Sequence, residues 1–296
     1  MDRYELFIVG AGAAGMSAAL SAREAGAGRI LIADRSDRLG GILPQCVHRG
    51  FGLTTFGAEL TGPEYAERIA SELGSTDIEI CLGTTVLSVS PDKTAVLSGK
   101  DGLRQISFDR MILAAGCREN SIGSIPVAGT RPSGIFTAGQ AQEMINLHQL
   151  DLGKEVVILG SGDLGMIMAR RFTLEGKHVI AVIEKEDHYG GMARNYHRCI
   201  EQYAIPLICS AEITRIHGEE RINAVTLHRR DSSTYETISC DTLVTALGLT
   251  PERSLVEKLG EPDWLKLCGN CSRVHDIVDS AVDEARKVGK FFGGKT

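Results

Sequence analysis

The stretch Leu6-Phe7-Ile8-Val9-Gly10-Ala11-Gly12-Ala13-Ala14-Gly15 decides the fold; an alanine-rich run through Ala25 and a second apolar run from Arg29 to Ala33 follow it. Four apolar residues, glycines spaced G-x-G-x-x-G and then helical spacing read as strand, tight turn and helix. The second strand ends at Asp34, 19 positions past Gly15. The same order recurs in Glu155-Val156-Val157-Ile158-Leu159, Gly160-Ser161-Gly162-Asp163-Leu164-Gly165, a helix through Glu175 and a strand from His178 to Ile183. Glu184 stands 19 positions past Gly165, and Gly40-Gly41 and Gly190-Gly191 each begin six positions past their acid. An internal duplication is the economical explanation.

Each part of the repeat has a physical task. The first glycine allows the turn from strand to helix, the second admits a pyrophosphate to the backbone, and the third lets helix and strand pack closely. The helix N-terminus attracts the phosphates, and the acid accepts hydrogen bonds from ribose hydroxyls. One such motif is weak evidence, because glycines also serve strand–helix packing alone. Two, each with strand, helix, strand and acid in register, point to two βαβ dinucleotide sites. Glu184 favours two free ribose hydroxyls and repels a 2′-phosphate, with no arginine before Arg194, while Lys185 beside it softens the preference. NADH is therefore expected over NADPH.

Composition sets the frame. The 296 residues are about twice a usual domain, so two domains are expected. The 34 glycines exceed the usual share of about 7%, and the duplicated motifs absorb a good part of them. With 43% hydrophobic and 24% charged residues, neither a disordered nor a membrane-spanning chain fits. The net charge of −6 shows no basic stripe, which argues against nucleic acid. The apolar run Leu6–Ala22 is preceded by Met1–Glu5 without net positive charge and is broken by glycines, unlike a secretory leader. A cytoplasmic protein with mostly reduced cysteines is expected.

Two dinucleotide sites in one chain imply two nucleotides exchanging electrons. The arrangement resembles the two-dinucleotide-binding flavoproteins, the pyridine nucleotide-disulfide oxidoreductase-like family of thioredoxin and glutathione reductases. The resemblance implies an α/β fold of two Rossmann-like domains, thioredoxin-reductase-like and without a separate dimerisation domain. The FAD domain, 1–118 plus 242–296, would be interrupted by the NAD(P)H domain, 119–241. Hinges at Cys117–Ser121 and Ser239–Asp241 would let the domains rotate. Short β-rich runs between Ile78 and Leu113, with turns at Pro91-Asp92 and Lys100-Asp101-Gly102, match the family's small meander. Ala114-Ala115-Gly116 looks like its small-residue turn beside the flavin, and Ala246-Leu247-Gly248 like the counterpart that closes the nicotinamide domain.

On this likeness, FAD would be held by Gly10, Gly12, Ala13, Ala14, Gly15, Asp34, Arg35, Gly41, Ile42, Cys46, Val86, Ala114, Ala115, Gly116, Gly269, Asn270, Asp276 and Ile277. NAD(H) would be held by Gly160, Gly162, Asp163, Leu164, Gly165, Glu184, Lys185, Ala246, Leu247 and Gly248. Cys268-Gly269-Asn270 departs from the family's Gly-Asp, although Asn still donates and accepts. A helix is expected from Asp276 through Val288, with Ile277, Val278, Ala281, Val282 and Ala285 on one face. Its N-terminus would face the flavin and stabilise the anionic reduced ring. His275-Asp276 equally reads as a plain N-cap.

The cysteines offer less. Leu43 and His48 stand where the glutathione-reductase dithiol would fall, and Gly134–Gln140 lacks the thioredoxin-reductase pair. Cys46 with His48 two residues on reads either as a depressed, reactive thiolate or as a cysteine packing a turn. Cys268 and Cys271 have redox spacing but no second pair for a zinc site, so no metal is expected. The stretches Gly40–Gly52, Gly160–Arg171, Cys268–Asn270 and Val274–Asp279 are similar to one subgroup. It comprises FAD-dependent oxidoreductases associated with glycerol-3-phosphate dehydrogenases, and NADH-linked subunits of proline, sarcosine and opine dehydrogenases. Three functions stay open: an electron-transfer subunit beside a partner dehydrogenase, a thiol reductase using Cys46, and a non-catalytic flavin- and nicotinamide-binding module. Each involves a small-molecule donor, acceptor or ligand, and none excludes a homo-oligomer.

Overall fold

The computed structural model describes residues 1–294, which divide into two compact units. One joins Met1–Arg118 to the C-terminal residues from Thr250; the other is Glu119–Leu249. The outward crossing of this division lies at 118/119. The return crossing comes at 249/250 instead of 241/242, because Thr242–Thr245 is a fully buried strand paired to Ile135–Thr137 and Glu155–Leu159 of the second unit.

In the first unit the strand Asp2–Val9 lies at the centre of a sheet, parallel to Ile30–Ala33 on one side and to Gly102–Leu113 on the other. Glu79–Cys81 and Leu265–Leu267 extend it in parallel. Thr85–Ser90 and Thr94–Gly99 form the expected antiparallel meander, which merges with the parallel sheet through the long strand Gly102–Leu113. Strand side chains alternate between faces. Leu6 and Ile8 therefore meet a helical layer with Met16, Ile69 and Val282, while Phe7 meets Leu97, Phe108 and Met111. The helix Ala13–Glu24 packs closely on Val278–Gly293: a Cβ at Gly289 or Gly293 would overlap the carbonyl of Ala18 or Ala22. Only small residues permit that approach.

The C-terminal helix runs over Val278–Gly293, later at both ends than the expected span 276–288. Ile277 is its N-cap residue, 45% exposed and without a side-chain cap bond, so it does not join the buried face of Ala281, Val282 and Ala285. Asp276 is exposed and His275 lies before the helix, so neither is the cap.

The second unit repeats the plan. Ile135–Thr137, Thr242–Thr245, Glu155–Leu159, His178–Ile183 and Leu207–Ile208 form a parallel five-stranded sheet in that spatial order. Val156 and Ile158 face the helices Ala138–Asn146 and Asp163–Leu174. Val157 and Leu159 face an antiparallel layer built on Ala211–Gly218, Ile222–Arg229 and Thr234–Ser239. No helix among the described residues is long and apolar enough to cross a membrane.

Candidate dinucleotide sites

In both units the glycine motif closes the crossing from strand to helix by the same contacts. Gly10 and Gly160 take φ of +109° and +103°, the left-handed side that L side chains avoid. A Cβ on either would overlap the carbonyl oxygen of Ala114 or Ala246, and one at Gly15 or Gly165 would overlap the carbonyl of Gly10 or Gly160. The small-residue turns after Leu113 and Thr245 are thus pressed against the first glycine of each motif. The middle glycines differ in kind. A Cβ at Gly12 would find its nearest atom 3.8 Å away, on Gly41, and one at Gly162 would meet nothing within 4 Å. The protein itself does not require glycine there; a ligand approaching the backbone does. Both middle glycines are helix N-caps without a side-chain cap bond, which leaves first-turn N–H groups free for phosphate. The residues present therefore fit FAD and NAD(P)H.

The acids are fixed by the motif they serve. Asp34 Oδ2 accepts from the Ala11 N–H at 2.6 Å and Oδ1 from Ser36 N–H at 2.8 Å. Glu184 Oε2 accepts from Ser161 N–H at 2.9 Å and from the Ser161 hydroxyl at 2.5 Å, and Oε1 accepts from Glu186 N–H at 3.1 Å. Burial alone would raise Glu184, but the Ser161 hydroxyl and the backbone donors of Glu186, Ser161 and Lys185 outweigh it and hold the carboxyl below its ordinary range. A carboxylate has about four acceptor sites, so capacity remains at both acids for ribose hydroxyls.

The glycine pairs reach back to the same motifs. Gly40 N–H donates to Ala11 O at 2.9 Å and Gly40 bridges Gly12; Gly191 N–H donates to Ser161 O at 3.1 Å. Ser161 adds a second link, its Oγ accepting from Gly190 N–H at 2.9 Å. Asp163 Oδ1 accepts from Met192 N–H at 2.8 Å and Asn195 Nδ2 at 2.7 Å, so it anchors the segment after Gly191. The sequence marked Asp163 but not Ser161, whose only signal is its place between the first two glycines.

The C-terminal segment joins the first site at Gly269, where a Cβ would come within 2.6 Å of Ala14 Cβ. Asn270 is engaged by protein on both sides: Oδ1 accepts from His275 N–H at 3.0 Å, and Nδ2 donates to Cys117 Sγ at 3.6 Å. Ala13 is buried and Leu164 half-buried in the first helical turns, Ala115 is exposed, and the turns end at Gly116 and Gly248. Leu247 O accepts from Asn120 Nδ2 at 3.1 Å. Ile42 is 58% exposed, and Arg35 and Lys185 also point to solvent. Val86 sits half-buried in the meander opposite Leu97, and Asp276 is exposed.

The thiols do not have the reactive character one reading gave them. Burial pushes Cys46 up to about 12, so it is a neutral thiol, and its Sγ donates to Ile42 O at 3.4 Å. The His48 ring nitrogen Nδ1 faces Arg49 O at 3.2 Å. Cys46 packs against Gly62, where a Cβ would stand 2.7 Å from Cys46 Cβ. Cys268 and Cys271 are buried free thiols, raised first by burial, with Cys271 Sγ donating to Leu113 O at 2.9 Å.

Comparison with known proteins places these features. The family described as pyridine nucleotide-disulphide oxidoreductase matches residues 4–262. Hydrogen cyanide synthase subunit HcnB of Pseudomonas protegens is 33% identical over 183 residues, covering 60% of this chain and 37% of the relative. An opine oxidase subunit of Agrobacterium tumefaciens is 28% identical over 193 residues, covering 62% of this chain and 37% of the relative. The matched part thus spans little more than a third of either relative's length. Thioredoxin reductase of T. acidophilum shares the fold, with a TM-score of 0.80 at 22% identity over 99% of this chain and 98% of that one.

Proposed function

The chain belongs to the pyridine nucleotide-disulphide oxidoreductase family as an FAD-dependent NAD(P)H oxidoreductase, and from that premise we propose that it moves hydride between NAD(H) and FAD as the electron-transfer subunit of a multi-component dehydrogenase. The observation that carries this reading is the pair of open middle glycines, Gly12 and Gly162, each at an uncapped helix N-terminus in its own unit. Bound FAD supplies the ring that accepts or returns the hydride. The chain's residues supply binding and alignment: Gly10–Gly15 and Asp34 hold one dinucleotide, and Gly160–Gly165 and Glu184 hold the other.

Glu184 and the acidic side chains of Glu186 and Asp187 repel a 2′-phosphate, which supports NADH over NADPH. Absence of a cysteine at Leu43 and His48 removes the dithiol that would pass electrons to a disulfide. The neutral Cys46 weighs against a thiol mechanism of its own. Electrons then leave through another protein, as the names of relatives that are enzyme subunits support. Glycerol-3-phosphate, amino-acid or opine oxidation by a partner subunit in the cytoplasm is the setting proposed.

Anaerobic titration tests the reading. NADH is expected to bleach the flavin absorbance rapidly and NADPH to do so far more weakly. Failure of both nucleotides to reduce the flavin overturns it and leaves a binding module.

A further inference from the structure

Asp279 is a carboxylate that no part of the hydride reaction uses. It lies in the first turn of the helix Val278–Gly293 and is only 6% exposed. Among the described residues no salt bridge reaches it. Instead it receives three donors from one distant stretch: Thr54 N–H to Oδ2 at 3.0 Å, Thr55 Oγ1 to Oδ1 at 2.8 Å, and Tyr65 O–H to Oδ1 at 3.1 Å. The Tyr65 O–H also stands 3.1 Å from Thr55 Oγ1. Burial, partly offset by the Thr55 hydrogen bond and reinforced by the Asp279 charge, raises the fully buried Tyr65 phenol, which therefore keeps its proton to share between Thr55 and Asp279. Phe56 packs edge-on to Tyr65 at 5.0 Å.

These donors belong to an excursion that leaves the sheet after Gly40-Gly41, carries Cys46 and His48, and returns through the paired strands Arg49–Phe51 and Leu60–Thr61 into the helix Gly62–Gly74. The excursion begins on the Gly12–Gly40 bridge, beside the open middle glycine of the first motif. A two-residue strand pair does not hold such a loop by itself. A buried carboxylate with three donors does, because a charge taken from water keeps its partners in place.

We propose that Asp279 is a positioning residue of the FAD site, clasping the Thr54–Thr55 turn to the C-terminal helix so that the Cys46–Thr61 excursion is set before the dinucleotide binds. The inference rests on the first motif being the FAD site. Asp279→Asn keeps the shape but turns an amide N–H toward donors. Against FAD-stripped full-length protein, it is expected to raise the FAD dissociation constant about tenfold by flavin fluorescence quenching. It leaves NADH affinity, measured by calorimetry on the same sample, at the wild-type value. Trypsin is expected to cut after Arg49 several-fold faster in the apoprotein. Tyr65→Phe has a smaller effect in the same direction, and the double variant is no worse than Asp279→Asn alone, a non-additivity that general destabilisation does not produce.

Wild-type FAD affinity together with unchanged Arg49 cleavage in Asp279→Asn overturns the proposal, as does an additive double variant. If Asp279→Asn does not fold, Tyr65→Phe carries the same two readouts. A wild-type chain that binds no FAD defeats the flavin assignment instead, and the clasp is then decided by Arg49 cleavage, equal rates overturning it.

Discussion

In the first motif Asp34 accepts from Ala11 N–H, and Gly40 reaches the Ala11 carbonyl. In the second, a serine stands at the alanine's place, and its hydroxyl donates to Glu184 while accepting from Gly190 N–H. The first motif therefore ties its glycine pair by backbone alone; the second adds a side-chain relay and a further anchor at Asp163. The first unit reserves its carboxylate anchor for the other end of the chain, at Asp279. One backbone device thus tolerates two ways of fastening the segment beside it. The fastening follows which distant segment must be held: a local loop after Glu184, or an excursion 225 positions away from its acceptor.

The largest effect that tests this comparison is steric and shared by both copies. Gly15→Ala and Gly165→Ala should each destabilise their own unit by about 3 kcal/mol or more, because backbone carbonyls cannot move aside. Urea unfolding monitored in each variant checks this, and a wild-type midpoint for either would break the equivalence. Next come the middle glycines. Gly12→Ala and Gly162→Ala should leave unfolding midpoints unchanged but weaken FAD and NADH respectively on the order of 100-fold by equilibrium binding. Crossed effects, with Gly12→Ala weakening only NADH, would reverse the assignment of the sites.

Ser161→Ala isolates the relay. It removes the hydroxyl between Glu184 and Gly190 and should cost about 1–2 kcal/mol in NADH binding, roughly tenfold, with FAD binding untouched. Ala11→Ser in the first motif is the natural counterpart and should gain nothing, since Asp34 is one methylene shorter. The same relay sets a pH dependence. Glu184 has a lower pKa folded than unfolded, so its contribution to the second unit is complete above the ordinary glutamate range and is lost as pH falls through the folded value. Ser161→Ala should raise that folded value toward the unfolded one, so the urea midpoint starts lower at neutral pH and falls less steeply on acidification than in wild type. Smallest of all, Cys46→Ser should leave NADH-dependent flavin reduction within about twofold of wild type, consistent with a buried neutral thiol. A loss greater than tenfold would restore the thiol reading.

Both motifs were legible because backbone sterics dictate their spacing: no other residue fits Gly10, Gly15, Gly160 or Gly165, whatever the rest of the chain does. The strands Glu155–Leu159 and His178–Ile183 fall where the sequence places them. The return crossing was set one strand early, at 241/242, although the turn Ala246-Leu247-Gly248 reads as closing the nicotinamide domain; the strand Thr242–Thr245 before that turn pairs within the second unit. The start of the C-terminal helix was misplaced because Asp276 looks like a cap, whereas the chain stays extended through Ile277. Asp279 and Ser161 carry no local signature. Their meaning lies in Thr54, Tyr65 and Gly190, and only the folded chain brings those partners near.

The insertion of one unit inside the other has a consequence for how the chain is made. All of Glu119–Leu249 can emerge and close its own sheet while the strand Leu265–Leu267 and the helix Val278–Gly293 are still to be translated. Chains halted before residue 265 should resist protease across 119–249 and remain cleavable within 1–118; equal susceptibility of the two regions would argue against that order. Synthesis from one end thus finishes the second dinucleotide unit first, and the unit encoded on either side of it stays open until the helix Val278–Gly293 arrives.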